Sequence, residues 1–368
     1  MEVLRKMKQL TKKYMVYTVT GIIFALIIFY LTSAGNPKNM GVCVGCFVRD
    51  TSGALNLHNA KAFQYIRPEI IGIILGSFAV SLLIREKFSV HFYPVIYFFG
   101  GVFTMIGVLI FLGCTVRVFV RLGGGDLNAV IGLLGMIAGI GVGTFFIKKG
   151  FSLPEKERTF DSKNYTYIVP AVSVVLFLFL ILRPSFISFS DKGIGSQHAP
   201  VILALIGGLV IGVLTNYFDL GFNSGFRNLL TGKMENPQIL FPVSIVTFLI
   251  ILNFASKNLN IGFADQPAAH TFQLWNFLGL FIVGWIGALL QGCPLQQLVK
   301  SAKGNLNSVF FVIGMFLGAG FLHRIDGVSS PKAVPVNGKI SLIAGLIFML
   351  VISVYYSRKR TPETGNGK

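Results

Sequence analysis

Ten apolar runs, each long enough or nearly long enough to cross a lipid bilayer, dominate this sequence. They fall near residues 14–33, 68–84, 93–112, 127–147, 165–182, 199–217, 237–254, 274–291, 306–322 and 338–356. A bilayer core about 30 Å thick takes roughly 20 helical residues per crossing, so 368 residues hold these spans, short connections and no sizeable soluble domain. In lipid every backbone polar group must be satisfied internally, and helices do this segment by segment. The expected class is therefore an all-α polytopic membrane protein. A charged fraction of only 12% beside 53% hydrophobic residues excludes an ordinary soluble enzyme. The first run has no small-residue cleavage site and is followed by further spans, so it reads as a retained helix.

The chain carries 32 Lys and Arg against 14 Asp and Glu, a net charge of +18. In a polar protein this excess would suggest a nucleic-acid partner; here its distribution points to the bilayer instead. Arg5, Lys6, Lys8, Lys12 and Lys13 precede the first span, Arg85 and Lys87 follow the second, and Lys148, Lys149, Lys156, Arg158 and Lys163 follow the fourth. Arg358, Lys359, Arg360 and Lys368 close the chain. With ten spans all of these lie on one side, which the positive-inside rule makes cytoplasmic, both termini included. Contact with anionic headgroups follows, and no nucleic-acid partner is expected.

The chain also repeats itself. Residues 113–139 (GCTVRVFVRLGGGDLNAVIGLLGMIAG) align without a gap on residues 292–318 (GCPLQQLVKSAKGNLNSVFFVIGMFLG). Ten of the 27 positions are identical: 113, 114, 120, 125, 127, 128, 130, 135, 136 and 139 in the first copy. A weaker echo sets GVCVGCFVRDTSG (41–53) against GFNSGFRNLLTG (221–232). Each copy holds four spans and a fifth, 165–182, separates them, so an odd number of crossings relates the copies and their topology is inverted. Inverted repeats are a transporter signature. The organisation expected is a first repeat over 1–160, a connecting helix within 161–197, a second repeat over 198–330, and a last helix with a basic cytoplasmic tail over 331–368.

Four segments with glycine at their boundaries are too short to span: 42–55, 115–122, 222–231 and 294–302. Eight or nine helical residues rise only about 12–14 Å, so these segments re-enter the membrane as half-helices. Irregular backbone at that depth needs protein or a water-filled cavity around it, which places a central site where they meet. Cys114 and Cys293 each follow a glycine at the start of a half-helix, and Pro294 suits the first helical position after Cys293. A helix N-terminus offers free N–H groups and a partial positive charge, so an anion or polarisable sulfur compound is the natural guest.

The other candidates follow from position. Cys43 and Cys46 form a C-x-x-C without the second ligand pair that zinc requires. Arg49 and Asp50 follow it directly, and either pair with each other or serve the pathway. Arg117 lies three residues after Cys114 on the same helix face. Asn128 and Asn307, at the starts of the following helices, cap or bind. The five histidines show no common spacing. No phosphate-binding loop or H-E-x-x-H occurs, so ATP-driven transport and zincin chemistry lack support.

GVCVGCFVRD (41–50), IRPEIIG (66–72), FLGCTVRVFVRLGGGDLNAVIGLLG (111–135) and GCPLQQLVKSAKGNLNS (292–308) together carry a likeness. The chain resembles the YeeE/YedE family of bacterial inner-membrane proteins with the sulphur transport domain, and within it the YedE subgroup proposed to transport a selenium compound. The resemblance implies an hourglass-shaped fold of inverted repeats. It also implies uptake of a small sulfur- or selenium-containing anion such as thiosulfate, handed between cysteine thiols through S–H to sulfur hydrogen bonds. The path residues here would be Cys43 or Cys46, Cys114 and Cys293. A cytosolic sulfur or selenium carrier protein is an implied partner; no cofactor, metal or catalytic residue is. One departure is that residues 113–115 read Gly-Cys-Thr where the family commonly has Gly-Cys-Pro. The rival readings are an intramembrane C-x-x-C thiol-disulfide oxidoreductase and a channel for a small neutral molecule.

Overall fold

A computed structural model of the chain describes residues 2–85, 89–153, 159–161, 164–232 and 236–358. Of the basic residues that set the expected orientation, Lys87, Lys156, Arg158, Lys163, Lys359, Arg360, Lys368 and the side chains of Arg5, Lys6 and Lys8 lie outside the described residues. The elements in order are α1 (Glu2–Ser33), α2 (Val44–Ala54), α3 (Pro68–Leu83), β1 (Ser89–His91), α4 (Pro94–Phe111), α5 (Thr115–Gly123), α6 (Asn128–Lys148), β2 (Thr159–Asp161) and α7 (Ile168–Leu182). They continue with α8 (Val201–Tyr217), α9 (Phe222–Leu230), α10 (Leu240–Ala255), α11 (Gln273–Leu289), α12 (Pro294–Ala302), α13 (Leu306–Arg324) and α14 (Val336–Arg358). The two short strands pair antiparallel, Val90 opposite Phe160; the rest of the regular structure is helical.

Among the described residues, seven segments are long and apolar enough to cross a membrane, three of them consisting of a long helix and the short one after it. α3, α7 and α10 are apolar but shorter, at 16, 15 and 16 residues. The chain is thus a polytopic membrane protein. Aliphatic side chains such as Val172, Val175, Leu178 and Ile181 on α7, and Ile343, Ile347 and Leu350 on α14, are exposed on the outside of the bundle, where lipid tails are their natural solvent.

Hydrogen bonds between helix ends define two ends of the bundle. At one, Asn36 after α1 bonds Glu69 of α3 and Ala199 before α8. There too the loop after α13 reaches Leu109 near the end of α4, from Ser329 N–H, and Asn128 of α6 donates to Phe263 in the loop after α10. At the other, Asn216 near the end of α8 donates to Ser77 of α3, Asn307 of α13 bonds Tyr93 and His91 before α4, and Phe151 after α6 packs on Tyr356 of α14. The second is called here the terminal end, because α14 finishes there, and the first the distal end.

Packing repeats with the sequence. α1 packs on α10 and α8 on α3; α4 packs on α13 and α11 on α6. Exchanging α1 with α8, α3 with α10, α4 with α11 and α6 with α13 maps these pairs onto one another. Small residues make these contacts possible, since close backbone approach is what joins helices where lipid is as apolar as leucine. A Cβ at Gly72 or Gly76 would strike the carbonyls of Leu205 or Leu209, and one at Gly208 or Gly212 those of Glu69 or Ile73. Gly135 and Gly139 meet the carbonyls of Phe277 and Phe281, while the repeat-related Gly314 meets that of Phe98. Gly318 has slightly more room, its Cβ position 3.0 Å from Val102 backbone. Gly139→Ala is therefore expected to lower the melting temperature of the purified protein by the equivalent of about 1–3 kcal/mol of overpacking, and Gly318→Ala to lower it less.

Candidate functional site

The four short helices α2, α5, α9 and α12 lie within a residue or two of the segments expected from length alone. α2 touches α12, and α5 touches α9. Phe119 of α5 stacks on Phe222 of α9 with centroids 5.2 Å apart. Their N-termini converge, and cysteine supplies the N-cap of three of the four: Cys43 for α2, Cys114 for α5 and Cys293 for α12. The fourth N-cap is Gly221.

All four thiols are free and buried. The Cys43 and Cys46 sulfurs are 2.6 Å apart, and the Cys46 N–H donates to Cys43 Sγ at 3.3 Å, as an N-cap acceptor requires. Cys43 Sγ stands 3.6 Å from Cys114 Sγ, joining α2 to α5. This contact needs Gly45, because a Cβ there would come 3.2 Å from that of Cys114. The next residue along α5, Thr115, interacts with the Cys293 thiol, which also faces the backbone N–H groups of Gln296 and Phe222. Cys43, Cys46, Cys114, Thr115 and Cys293 thus form one buried series through the waist of the bundle. The Thr115 hydroxyl is buried without a well-formed hydrogen bond. Proline at this position would supply no such hydroxyl, so the departure from Gly-Cys-Pro puts a polar atom between two thiols.

Arg117 lies against this series. Sharing a helix face with Cys114 was the expectation, but its guanidinium reaches across to Cys46, with Nη1 3.8 Å from the sulfur. Its other donors are taken by carbonyls of Asn39 at 2.8 Å, Pro267 at 3.3 Å, Ala268 at 3.4 Å and Leu112. Only neutral acceptors hold it, and no ion pair with a described carboxylate offsets its charge, although it is 1% exposed. A buried charge without a counter-charge favours any anion that comes beside it.

Arg49 and Asp50 do pair, at 2.6 Å, but not alone. Arg67 holds the other oxygen of Asp50 at 2.7 Å and donates to the Gln197 and Ile194 carbonyls, both at 2.9 Å. Buried Glu69 also interacts with Arg67, so this cluster sets two cations against two carboxylates. Arg121 is offset too: Asp126 pairs with it at 2.6 Å, so it carries no free charge to the path. Asn128 bonds Asp126, Phe263 and Gln273, Asn307 bonds Tyr93 and His91, and neither is brought to the thiols.

Two cavities flank the series. One of about 450 Å³ at the distal end is lined by Arg49, Phe63, Arg117, Ala268, His323 and Ser329 among others. The Nε2 of His323 and the hydroxyl of Ser329 are buried there without partners. The other, of about 160 Å³, lies at the terminal end between α9, α11 and α12. The thiols line neither cavity. Arg117 separates them from the first, and Gln296, whose Oε1 accepts from the Cys293 N–H at 3.3 Å, separates them from the second.

Sequence comparison with known proteins finds no matching protein-family model and no matching curated protein. Among the described residues no group of His, Cys, Asp and Glu could hold a metal ion.

Sequence reasoning passed over Arg67 and gave His58 and His323 no role. His58 stacks on His323 with ring centroids 4.1 Å apart and its Nε2 lies 3.1 Å from the Arg49 carbonyl. Outside the spans, burial holds His58, His198 and His270 below the ordinary histidine range. Neutral in the fold, they take up protons more readily when it opens, so stability present above pH about 6.5 is lost as pH falls through that value toward their folded pKa. The melting temperature is expected to be lower at pH 5 than at pH 7.5, with a smaller drop in His58→Gln.

Proposed function

We propose that this protein is a membrane transporter for a small sulfur- or selenium-containing anion, thiosulfate or a selenium species, taken up along the thiols of Cys43, Cys46, Cys114 and Cys293. The observation that carries this reading is Arg117: a buried cation that no carboxylate neutralises, touching Cys46 on one side and lining the distal cavity on the other. Convergent helix N-termini add partial positive charges nearby. An anion entering from the distal cavity meets Arg117 first. It is then passed between thiols by S–H to sulfur hydrogen bonds, with the hydroxyl of Thr115 bridging toward Cys293. Sulfur and selenium suit soft, polarisable donors better than a pore lined with carboxamides would.

The exchange symmetry of the helix pairs supports two inverted repeats about this waist, with α7 as the connecting helix. On that reading the terminal end, which carries Lys148, Lys149 and Arg358, is cytoplasmic and the distal cavity opens outward in a bacterial inner membrane. The same reading agrees with the YeeE/YedE resemblance and has a cytosolic carrier receive the cargo. Its test is growth: in a strain unable to take up sulfur or selenium anions, the full chain restores growth on thiosulfate or a selenium compound, and failure on every such compound sinks it.

A second reading has one observation in its favour, the contact between the Cys43 and Cys46 sulfurs. As an oxidoreductase the pair would give two electrons and two protons to a quinone and become a disulfide. Four titratable thiols remaining after incubation with a quinone would end it.

A further inference from the structure

We infer that the terminal-end cavity is a second anion-binding site, built by Asn223, Ser224, Arg227, Gln296 and Lys300, which receives a small sulfur- or selenium-containing oxyanion after Cys293. This deepens the transport reading and rests on it for the identity of the cargo.

The repeat shows what has changed between the two sites. In Gly-x-Cys-x-Gly (41–45) the middle residue is Cys43; in Gly-x-Asn-x-Gly (221–225) it is Asn223. Asn223 is 4% exposed, lines the cavity, and leaves both its amide nitrogen and its amide oxygen without a hydrogen-bond partner. Burying an unpaired carboxamide costs on the order of 1–3 kcal/mol per polar group, so a group that bonds it on arrival is held firmly. The amide would donate to an oxyanion from the second helical position of α9, whereas the Cys43 thiol stands at the N-cap of α2.

Charge has moved as well. Arg121 and Asp126 pair in the first repeat, but their counterparts 179 residues on are Lys300 and Asn305. Asn305 caps α13 by accepting from the Ser308 N–H at 3.2 Å, and a neutral amide offsets no charge. Lys300 turns instead to the Gln291 carbonyl at the cavity rim. Arg227 lines the same space and makes no ion pair with any described residue. Asp219 also lines it and offsets one of the two cations, so the cavity keeps one net positive charge. Gln296, the counterpart of Arg117, connects the site to the path: its Oε1 accepts from Cys293 N–H, while its Nε2 is 3.4 Å from the Ser224 hydroxyl. The start of nine-residue α9 adds backbone N–H groups beside Asn223. With about 160 Å³, the cavity admits a thiosulfate- or selenite-sized ion and little more.

Equilibrium binding of radiolabelled thiosulfate, and separately of selenite, to the purified full-length protein tests this. Arg117→Gln, which removes the distal cation, should retain one site. Adding Asn223→Asp or Lys300→Gln to that background should weaken this site roughly tenfold or more, the loss expected for a hydrogen bond or charge on an anion, at unchanged melting temperature. Binding insensitive to both second substitutions overturns the site, as does absence of any binding in the wild type. Uptake is measured separately. Thiol-dependent uptake with binding unaffected by Asn223 and Lys300 removes the second site alone, whereas binding that needs Asn223 without uptake removes the transport reading alone.

Discussion

Replacing Cys293 with alanine should reduce uptake of labelled thiosulfate or selenite into vesicles about a hundredfold, and replacing Cys114 should do the same. Both thiols lie in the buried series: Cys114 Sγ is 3.6 Å from Cys43 Sγ, and Cys293 lies beside Thr115. Alanine leaves an anion at that depth one donor short, and each decade in rate corresponds to about 1.4 kcal/mol of lost stabilisation. Serine keeps a donor but not the size or polarisability of sulfur, so Cys293→Ser should fall between alanine and the parent. Undiminished uptake in Cys293→Ala would remove the thiol path.

The second large effect is on the fold itself. Asp50→Asn leaves Arg49 and Arg67, 2% and 0% exposed, without their shared counter-charge. Removing one partner of a buried ion pair costs about 3–5 kcal/mol, and here two cations lose theirs together. The variant should therefore melt far below the parent, where Arg49→Gln, which leaves the Arg67–Asp50 pair intact, should lose less. Rings of Phe63 and Phe47 lie over the two guanidinium groups at 3.9 and 4.9 Å, and they soften the loss without replacing the charge. Equal melting temperatures for Asp50→Asn and the parent would show that the triad does not hold α2 against the approach to α3.

Much of this architecture was readable from spacing. A run of apolar residues too short for the bilayer, bounded by glycine, has few places to go, and α2, α5, α9 and α12 start and stop close to where length alone puts them. Identity between the repeats also has a physical reading: Gly135, Gly139, Gly314 and Gly318 recur because helices α6 and α13 each press their backbone against a partner, α11 and α4. Contacts made across long stretches of sequence were not readable. Nothing about Arg67 marks it as the partner of Asp50, since spacing on one helix says nothing of a side chain arriving from another segment. Arg117 shares a face with Cys114, yet its length carries it to Cys46. Asn128 and Asn307 stand at helix starts, where capping and binding read alike in sequence, and the contacts they make tie each helix start to a neighbouring loop. Asn223 was passed over because the echo between the two segments is weak, and its meaning emerges only when its amide is found buried and unpaired.

The central claim is that a soft anion crosses the bilayer through this waist, and initial-rate uptake of labelled thiosulfate, selenite and sulfate by proteoliposomes holding the full-length chain measures it most directly. The account predicts uptake of thiosulfate or selenite well above empty liposomes, with little for sulfate, which offers no soft atom to a thiol. Rates equal to empty liposomes for all three ions, or uptake that ignores the charge and softness of the solute, would contradict it.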